Sequence, residues 1–238
     1  MTASHPLLIF LTGFSGTGKS QVARLAAQKL NQALRLRSGQ GWQAIDTDGI
    51  VEGMAGQTIA AIFAQEGEAA FRELEAEALR RASCLEKAVV ATGGGSVLRE
   101  DNRRLMAQGF VVCLEARPET VLARLRENDG SERPLLSGPD PLARIRSLKA
   151  QRQPLYALAD HTVHTDGLAP EEVAAEVVRA WRRLSSRLTL DPARWAGPGV
   201  PSPSMGEGQG ATPGNLRFPG ASGEGESPPP SNSLPPGE

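Results

Sequence analysis

Residues 13–20 read Gly-Phe-Ser-Gly-Thr-Gly-Lys-Ser and match the pattern G-x-x-x-x-G-K-[ST], in which a loop binds the phosphates of a nucleoside triphosphate. Successive backbone N–H groups of such a loop point at the phosphate oxygens, and the positive end of the following helix adds to the attraction. The lysine is placed to reach the β- and γ-phosphates, and the last serine hydroxyl to coordinate Mg²⁺. The predicted ligands are Gly13, Ser15, Gly16, Thr17, Gly18, Lys19 and Ser20.

A second group with catalytic potential is the triplet Asp46-Thr47-Asp48, which follows a short apolar run. In a nucleotide-binding fold, two carboxylates at this spacing beyond a strand can serve a metal ion and an acceptor separately. We expect Asp46 to hold Mg²⁺ through its water shell and Asp48 to accept or orient the proton of a substrate hydroxyl. A turn or a helix N-cap is the alternative, because aspartate favours both. The presence of the phosphate loop favours the functional interpretation.

Three consecutive glycines and three arginines complete the candidate chemistry. The run Gly93-Gly94-Gly95 could bring backbone N–H groups close to a ligand, or could form only a tight turn. On a helix, Arg72 can pair with Glu75 three residues later. Arg133 lies in a Gly/Pro/Ser-rich segment suited to a mobile lid that closes over phosphates. Arg72 and Arg152 suggest a small anionic substrate, since guanidinium groups bind carboxylates bidentately, although a single arginine is more often a surface charge.

These residues need a scaffold, and hydrophobic patterning predicts one of alternating strands and helices. The predicted strands are 7–11, 44–45, 88–91, 110–114 and 161–163, and the predicted helices are 21–30, 59–65, 68–85, 100–108, 119–128, 141–158 and 170–184. This alternation predicts an α/β domain with a parallel sheet and helices on both faces. Ligands of such a domain bind at the C-terminal ends of the strands.

Composition divides the chain into a domain and a tail. From about Pro192 onward Pro, Gly, Ser and Glu predominate, and such a segment cannot bury enough apolar surface to offset its ordering entropy. We therefore expect one domain over residues 1–188 and a disordered tail over residues 189–238. A functional tail and dispensable extra sequence are the two alternatives for it, and the composition favours the second.

Charge and cysteine content narrow the class of protein. The net charge is −1 with mixed signs throughout, so there is no electrostatic case for a nucleic-acid partner. Cys84 and Cys113 are expected to be buried thiols in a reducing compartment. No apolar run has the length of a membrane span, and the N-terminal run lacks the pattern of a signal peptide. We expect a monomeric, cytoplasmic protein without a membrane partner.

The motifs together resemble those of shikimate kinase. The resemblance rests on residues 13–20, Asp46-Thr47-Asp48, Phe71-Arg72-x-x-Glu75, the glycine run, Arg133-Pro134-Leu135-Leu136 and Arg152-x-Pro154-Leu155-Tyr156, in matching order and spacing over residues 7–184. It implies a P-loop NTPase-type three-layer sandwich, similar to nucleoside monophosphate kinases, with a five-stranded parallel sheet in order 2-3-1-4-5 and a lid over about 129–139. It also implies Mg²⁺-dependent transfer of the γ-phosphoryl group of ATP to the 3-hydroxyl of shikimate, within aromatic amino acid and chorismate biosynthesis.

The resemblance also implies a role for each matching position. Asp48 would bind the shikimate hydroxyls and act as the base. A carboxylate-binding set would consist of Arg72, Arg152 and the glycines Gly93, Gly94 and Gly95, with Phe63 as an aromatic wall. On the nucleotide side, Arg126 would stack on adenine and Arg133 would be the lid arginine. Lys19, Ser20 and Asp46 would be the phosphate and Mg²⁺ ligands.

Three other interpretations remain open. A gluconate kinase would share the loop, lid and fold, but the Asp-x-Asp, Phe-Arg-x-x-Glu and triple-glycine motifs argue against it. A regulatory domain that binds shikimate without catalysis would be expected to lack Lys19, Asp48 or Arg133, and all three are present. A nucleic-acid-handling ATPase would need a basic patch and a second ATPase domain.

Overall fold

The computed structural model describes residues 7–34, 41–127 and 139–185, together with Trp195. These residues belong to one compact unit, Met1–Val200. Arg133 and residues 129–138 of the predicted lid lie outside the described residues, as do residues 35–40. The predicted tail also lies outside them, apart from Trp195.

The centre of the fold is a sheet of five parallel strands in the order β2-β3-β1-β4-β5, as the family resemblance implies. The strands are β1 (Leu8–Thr12), β2 (Gln43–Asp46), β3 (Ala88–Ala91), β4 (Phe110–Glu115) and β5 (His161–His164). Leu11 of β1 and Asp46 of β2 both pair with Ala91 of β3, so these strands end at the same edge. The phosphate loop, the aspartate triplet and the glycine run all leave the sheet there.

Eight helices and one short 3₁₀ turn, Ser96–Leu98, connect the described strands. The helices are α1 (Lys19–Leu34), α2 (Thr47–Ala55), α3 (Ile59–Gln65), α4 (Gly67–Ser83), α5 (Glu100–Met106), α6 (Pro118–Glu127), α7 (Pro141–Tyr156) and α8 (Pro170–Leu184). Local chemistry starts several of them: Thr58 caps α3 and Asp140 caps α7, each through a side-chain oxygen that accepts a backbone N–H.

Alternate residues of the sheet feed two hydrophobic clusters. Ile9 and Leu11 of β1 pack in one cluster with apolar residues of α1 and α8. Phe10, between them, belongs to the other cluster, which includes residues of α4, α5, α6 and α7. Side chains of successive strand residues point to opposite faces, so the predicted three-layer arrangement is confirmed. The Trp42 and Trp181 rings, both buried, meet edge to face at 5.1 Å within the first cluster.

Two sequence-based predictions differ from the structure. Residues 47–55 form α2, which no predicted helix covers, because the two glycines in TDGIVEGMA weaken its helical signal. Cys113 is buried as expected, but Cys84 is exposed. Cys84 follows the last residue of α4, and this end position leaves it at the surface despite its apolar neighbours.

Within the described part of the chain, no helix combines the length and apolar character needed to cross a membrane.

Candidate active site

The phosphate loop joins β1 to α1 and is held by its own backbone. Its conformation needs glycine at two points in particular: Gly16 and Gly18 have φ angles of 81° and 89°, which other residues rarely adopt. Lys19 Nζ donates to the carbonyls of Gly13 and Phe14 at 2.9 and 2.8 Å. The lysine therefore lies folded over the loop, at the position from which it can meet phosphate oxygens.

Asp46 and Asp48 lie at the end of β2 and face the same cavity as Lys19. Asp46 is the N-cap of α2, and its Oδ1 accepts the Asp48 N–H at 3.0 Å. Asp46 therefore acts as a helix N-cap, which was the alternative to a functional role, and the Asp46 carboxylate also lines the cavity. Surrounding protein desolvates the Asp48 carboxyl, and with the negative charge of Asp46 this raises its pKa to about 6. Burial lowers the pKa of Lys19 to about 8, although the negative charges of Asp48 and Asp46 act in the opposite direction and raise it.

Thr47, the middle residue of the triplet, connects it to the glycine run. Its side chain is fully buried, and its Oγ1 accepts the backbone N–H of Gly93 at 3.1 Å. A Cβ placed on Gly93 would overlap Glu75 and come within 3.4 Å of Asp48 Oδ1. Glycine is therefore required there by the close approach of Glu75 and Asp48, and the binding of a ligand by the glycine run stays a prediction.

Arg72 on α4 is held beside the glycine run by two carboxylates. It contacts Glu68 at 2.9 Å and Glu75 at 2.8 Å, so the predicted Arg72–Glu75 pair is present. Glu75 is only 2% exposed and also accepts the Ser96 hydroxyl at 2.9 Å. A buried carboxylate with these two partners fixes the guanidinium in one place, where it would overlap a Cβ on Gly95.

Arg152 on α7 approaches the same run from the other side. Its Nη1 donates to the Gly94 carbonyl at 3.2 Å, and the Tyr156 hydroxyl donates to the same carbonyl at 2.7 Å. The guanidinium also lies 5.5 Å from the ring centroid of Phe14, a phosphate-loop residue. The two arginines predicted to recognise an anion therefore converge on Gly94 and Gly95.

A cavity of about 620 Å³ opens over the phosphate loop. It is lined by the predicted residues Ser15, Gly16, Thr17, Gly18, Lys19, Ser20, Asp46, Asp48, Gly93 and Gly94. Arg124 and Thr165 also line it, and Arg124 donates to Thr165 Oγ1 at 2.9 Å. No sequence signal singled out this pair, because its members are 41 residues apart and belong to no motif.

Six predicted residues of the described part of the chain do not line this cavity: Gly13, Phe63, Arg72, Gly95, Arg126 and Arg152. Arg126 is exposed on α6 and does not line it, whereas Arg124 does. Phe63 on α3 packs on Phe71, with ring centroids 4.7 Å apart, and Arg72 lies 5.2 Å from the Phe71 centroid. The Phe71 ring thus lies between Phe63 and Arg72. The roles of Phe63 and Arg126 stay predictions.

The donor atoms at the phosphate loop fit a magnesium ion. Ser20 and Asp46 both line the cavity and offer hydroxyl and carboxylate oxygens, the hard ligands that Mg²⁺ prefers. In residues 7–34, 41–127 and 139–185, no group of three or more His, Cys, Asp or Glu side chains is placed to hold a metal ion.

Comparison with known proteins identifies the family. The family model for shikimate kinase matches residues 15–182. The shikimate kinase of Symbiobacterium thermophilum is 44% identical over 181 residues, which cover 75% of this chain and 98% of that protein. That of Caldanaerobacter subterraneus is 43% identical over 180 residues, covering 75% and 98%. The structure of Acinetobacter baumannii shikimate kinase in complex with shikimate superposes with a TM-score of 0.66 at 33% identity, covering 79% of this chain and 97% of that one. The chain belongs to the shikimate kinase family.

Proposed function

We propose that this protein transfers the γ-phosphoryl group of ATP to the 3-hydroxyl of shikimate, with Mg²⁺ as the metal. One observation carries the proposal: Asp48 shares a cavity with Lys19 and lies beside Gly93, at the start of the run on which Arg72 and Arg152 converge. A carboxylate able to act on a hydroxyl thus lies between a phosphate site and an anion site. The likeness to shikimate kinases over nearly their whole length supports the same acceptor.

On the nucleotide side, the residues of the phosphate loop position and neutralise the phosphates. The N–H groups of residues 15–20 surround the β-phosphate, and Lys19 exchanges the Gly13 and Phe14 carbonyls for phosphate oxygens. Because little covalent chemistry falls to the protein in phosphoryl transfer, this alignment is the main contribution of the loop. Ser20 and Asp46 would hold Mg²⁺, which neutralises charge on the β- and γ-phosphates.

On the acceptor side, Arg72 and Arg152 bind the carboxylate of shikimate next to the glycine run. A ring hydroxyl then faces Asp48, which orients it and takes its proton as the oxygen attacks the γ-phosphorus. A carboxyl with a pKa of about 6 is ionised at neutral pH. Because this pKa lies close to neutral pH, the carboxylate can accept a proton effectively.

The proposal is tested by a coupled assay of ADP release with Mg·ATP and either shikimate, gluconate, quinate or no acceptor. We expect release that depends on shikimate. Release with gluconate alone would place the chain among gluconate kinases. ATP binding without turnover on any acceptor would indicate a regulatory binding domain and contradict the proposal.

A further inference from the structure

We propose that Trp195 is a positioning residue for the acceptor site: it docks beyond the last helix and braces the 3₁₀ turn Ser96–Leu98, which follows the glycine run. Trp195 would thus stabilise the acceptor site without touching the substrate. The kinetic test of this role rests on the proposed function, because it uses shikimate as the substrate. The role belongs to a segment that the sequence predicts to be dispensable.

Trp195 is buried although it lies beyond the part of the chain that resembles the family. The family model ends at residue 182, and the surrounding composition predicts no packed structure. The indole is nevertheless 1% exposed and belongs to the cluster that contains Val97, Met106 and Tyr156. Burial of a whole indole removes a large apolar surface from water, so Trp195 contributes to the stability of this cluster.

A buried arginine links Trp195 to the 3₁₀ turn. Arg103 of α5 is 9% exposed, and its Nε donates to the Trp195 carbonyl at 3.3 Å. Its Nη1 donates to the carbonyls of Val97 and Leu98 at 2.8 and 3.1 Å. One planar guanidinium therefore holds the Trp195 backbone and the turn in a fixed relation.

The 3₁₀ turn in turn supports the residues proposed to bind the shikimate carboxylate. Ser96, its first residue, donates to Glu75 at 2.9 Å, and Glu75 contacts Arg72 at 2.8 Å. A shift of the turn would therefore move Glu75 and Arg72. The side-chain hydrogen bonds of Arg103 reach Trp195, Val97 and Leu98 but not the phosphate loop, so the effect of losing Trp195 should fall mainly on shikimate.

The kinetic test compares Trp195→Ala and Trp195→Phe in the full-length chain. We expect Trp195→Ala to raise the KM for shikimate roughly three- to ten-fold, because misplaced binding groups lose affinity steeply, and to leave the KM for ATP within about two-fold. Trp195→Phe should stay near wild type, since it keeps an aromatic ring and Trp195 Nε1 has no hydrogen-bond partner among the described residues. Phe218→Ala, which removes an aromatic side chain from residues 201–238, is the matched control. An unchanged KM for shikimate, or equal rises for both substrates, would overturn the inference.

Hydrogen exchange gives a second readout that does not depend on the acceptor. The Ser96 and Leu98 amides donate to the Gly93 and Gly95 carbonyls at 3.1 and 2.9 Å. In Trp195→Ala they should exchange faster, while the Val22 amide of α1 keeps its wild-type rate. Wild-type exchange at Ser96 and Leu98 would sink the inference. By contrast, a wild-type enzyme that shows no shikimate-dependent release of ADP would refute only the proposed function. If Trp195→Ala does not accumulate as folded protein, Trp195→Leu takes the same measurements.

Discussion

Asp46 and Asp48 are two residues apart, yet their surroundings differ in a way that suits the separate roles proposed for them. Asp46 Oδ1 is engaged by the Asp48 amide at the start of α2, which fixes its carboxylate at the edge of the sheet. The Asp48 carboxyl faces the cavity, and its pKa is raised to about 6. A fixed carboxylate suits a metal ligand, and a carboxyl with a pKa near neutrality suits a base.

Replacing Asp48 by Asn should abolish most turnover while ATP still binds. The amide keeps the shape of the side chain but cannot accept the hydroxyl proton, so kcat should fall by about 10²–10⁴. Steady-state kinetics and nucleotide titration measure the two effects. Asp101→Asn on α5, where the aspartate side chain is 70% exposed, serves as the surface control. Near-normal kcat in Asp48→Asn would remove Asp48 from its assigned role.

Replacing Arg152 by Ala should mainly raise the KM for shikimate. Loss of a charge-assisted hydrogen bond costs about 2 kcal/mol, or about thirty-fold in affinity, and the KM for ATP should change little. Arg146→Ala is the control on the same helix, because its side chain is 59% exposed and pairs with Glu119. If both variants bind shikimate equally well, Arg152 does not recognise the carboxylate.

The two cysteines should differ in reactivity. Cys84 is exposed, whereas Cys113 is 1% exposed and burial raises the pKa of its thiol to about 12. Since the thiolate is the reactive form, a colorimetric thiol reagent should titrate one thiol per native chain and two in denaturant. Two fast thiols in the native protein would show that the β4 strand opens readily.

At the scale of elements, the glycine run lies between the phosphate loop and Arg72. A Cβ on Gly94 would lie 3.2 Å from the Ser15 nitrogen of the phosphate loop, whereas a Cβ on Gly95 would overlap the Arg72 guanidinium. The loop backbone cannot yield as a side chain can. Gly94 therefore lies against the phosphate loop, although its carbonyl also accepts from Arg152, whereas Gly95 lies against Arg72.

Gly94→Ala and Gly95→Ala should accordingly give opposite kinetic patterns. We expect Gly94→Ala to raise the KM for ATP and Gly95→Ala the KM for shikimate, each by about tenfold, because small displacements of binding groups are costly. Initial-rate measurements with each substrate varied in turn provide the comparison. Gly53→Ala on α2, where an added Cβ meets nothing within 4 Å, is the control. Identical patterns for the two variants would contradict this division.

The sequence predicted the elements whose patterns are local and periodic. The phosphate loop was predicted from its sequence motif, β3 from an apolar run and α8 from a helical stripe. The helix α2 was not, since its two glycines obscure the pattern and the Asp46 cap also fits a metal ligand. The hydrogen bonds Thr47–Gly93 and Tyr156–Gly94 join residues 46 and 62 apart. Distances of that kind depend on tertiary packing and have no local signal.

For the molecule as a whole, the burial of Trp195 leads us to propose a functional boundary near residue 200 rather than residue 188. A chain ending at Val200 should match the full chain in KM for both substrates and in midpoint of urea unfolding. A chain ending at residue 188 should lose roughly 3–5 kcal/mol in free energy of unfolding, because it lacks a buried Trp, and should therefore unfold at lower urea concentration. It should also bind shikimate less tightly. If the two truncated chains have equal KM values and equal urea midpoints, the functional boundary lies at residue 188 instead.

The central claim, phosphoryl transfer from ATP to one hydroxyl of shikimate, is tested most directly by the identity of the product. The wild-type enzyme is incubated with Mg·ATP and shikimate, and the purified product is analysed by ³¹P–¹H correlation NMR. We predict a single phosphate ester, coupled to the proton on carbon 3 of the ring. Phosphate released as the free ion, or an ester at another oxygen, would contradict the assigned reaction.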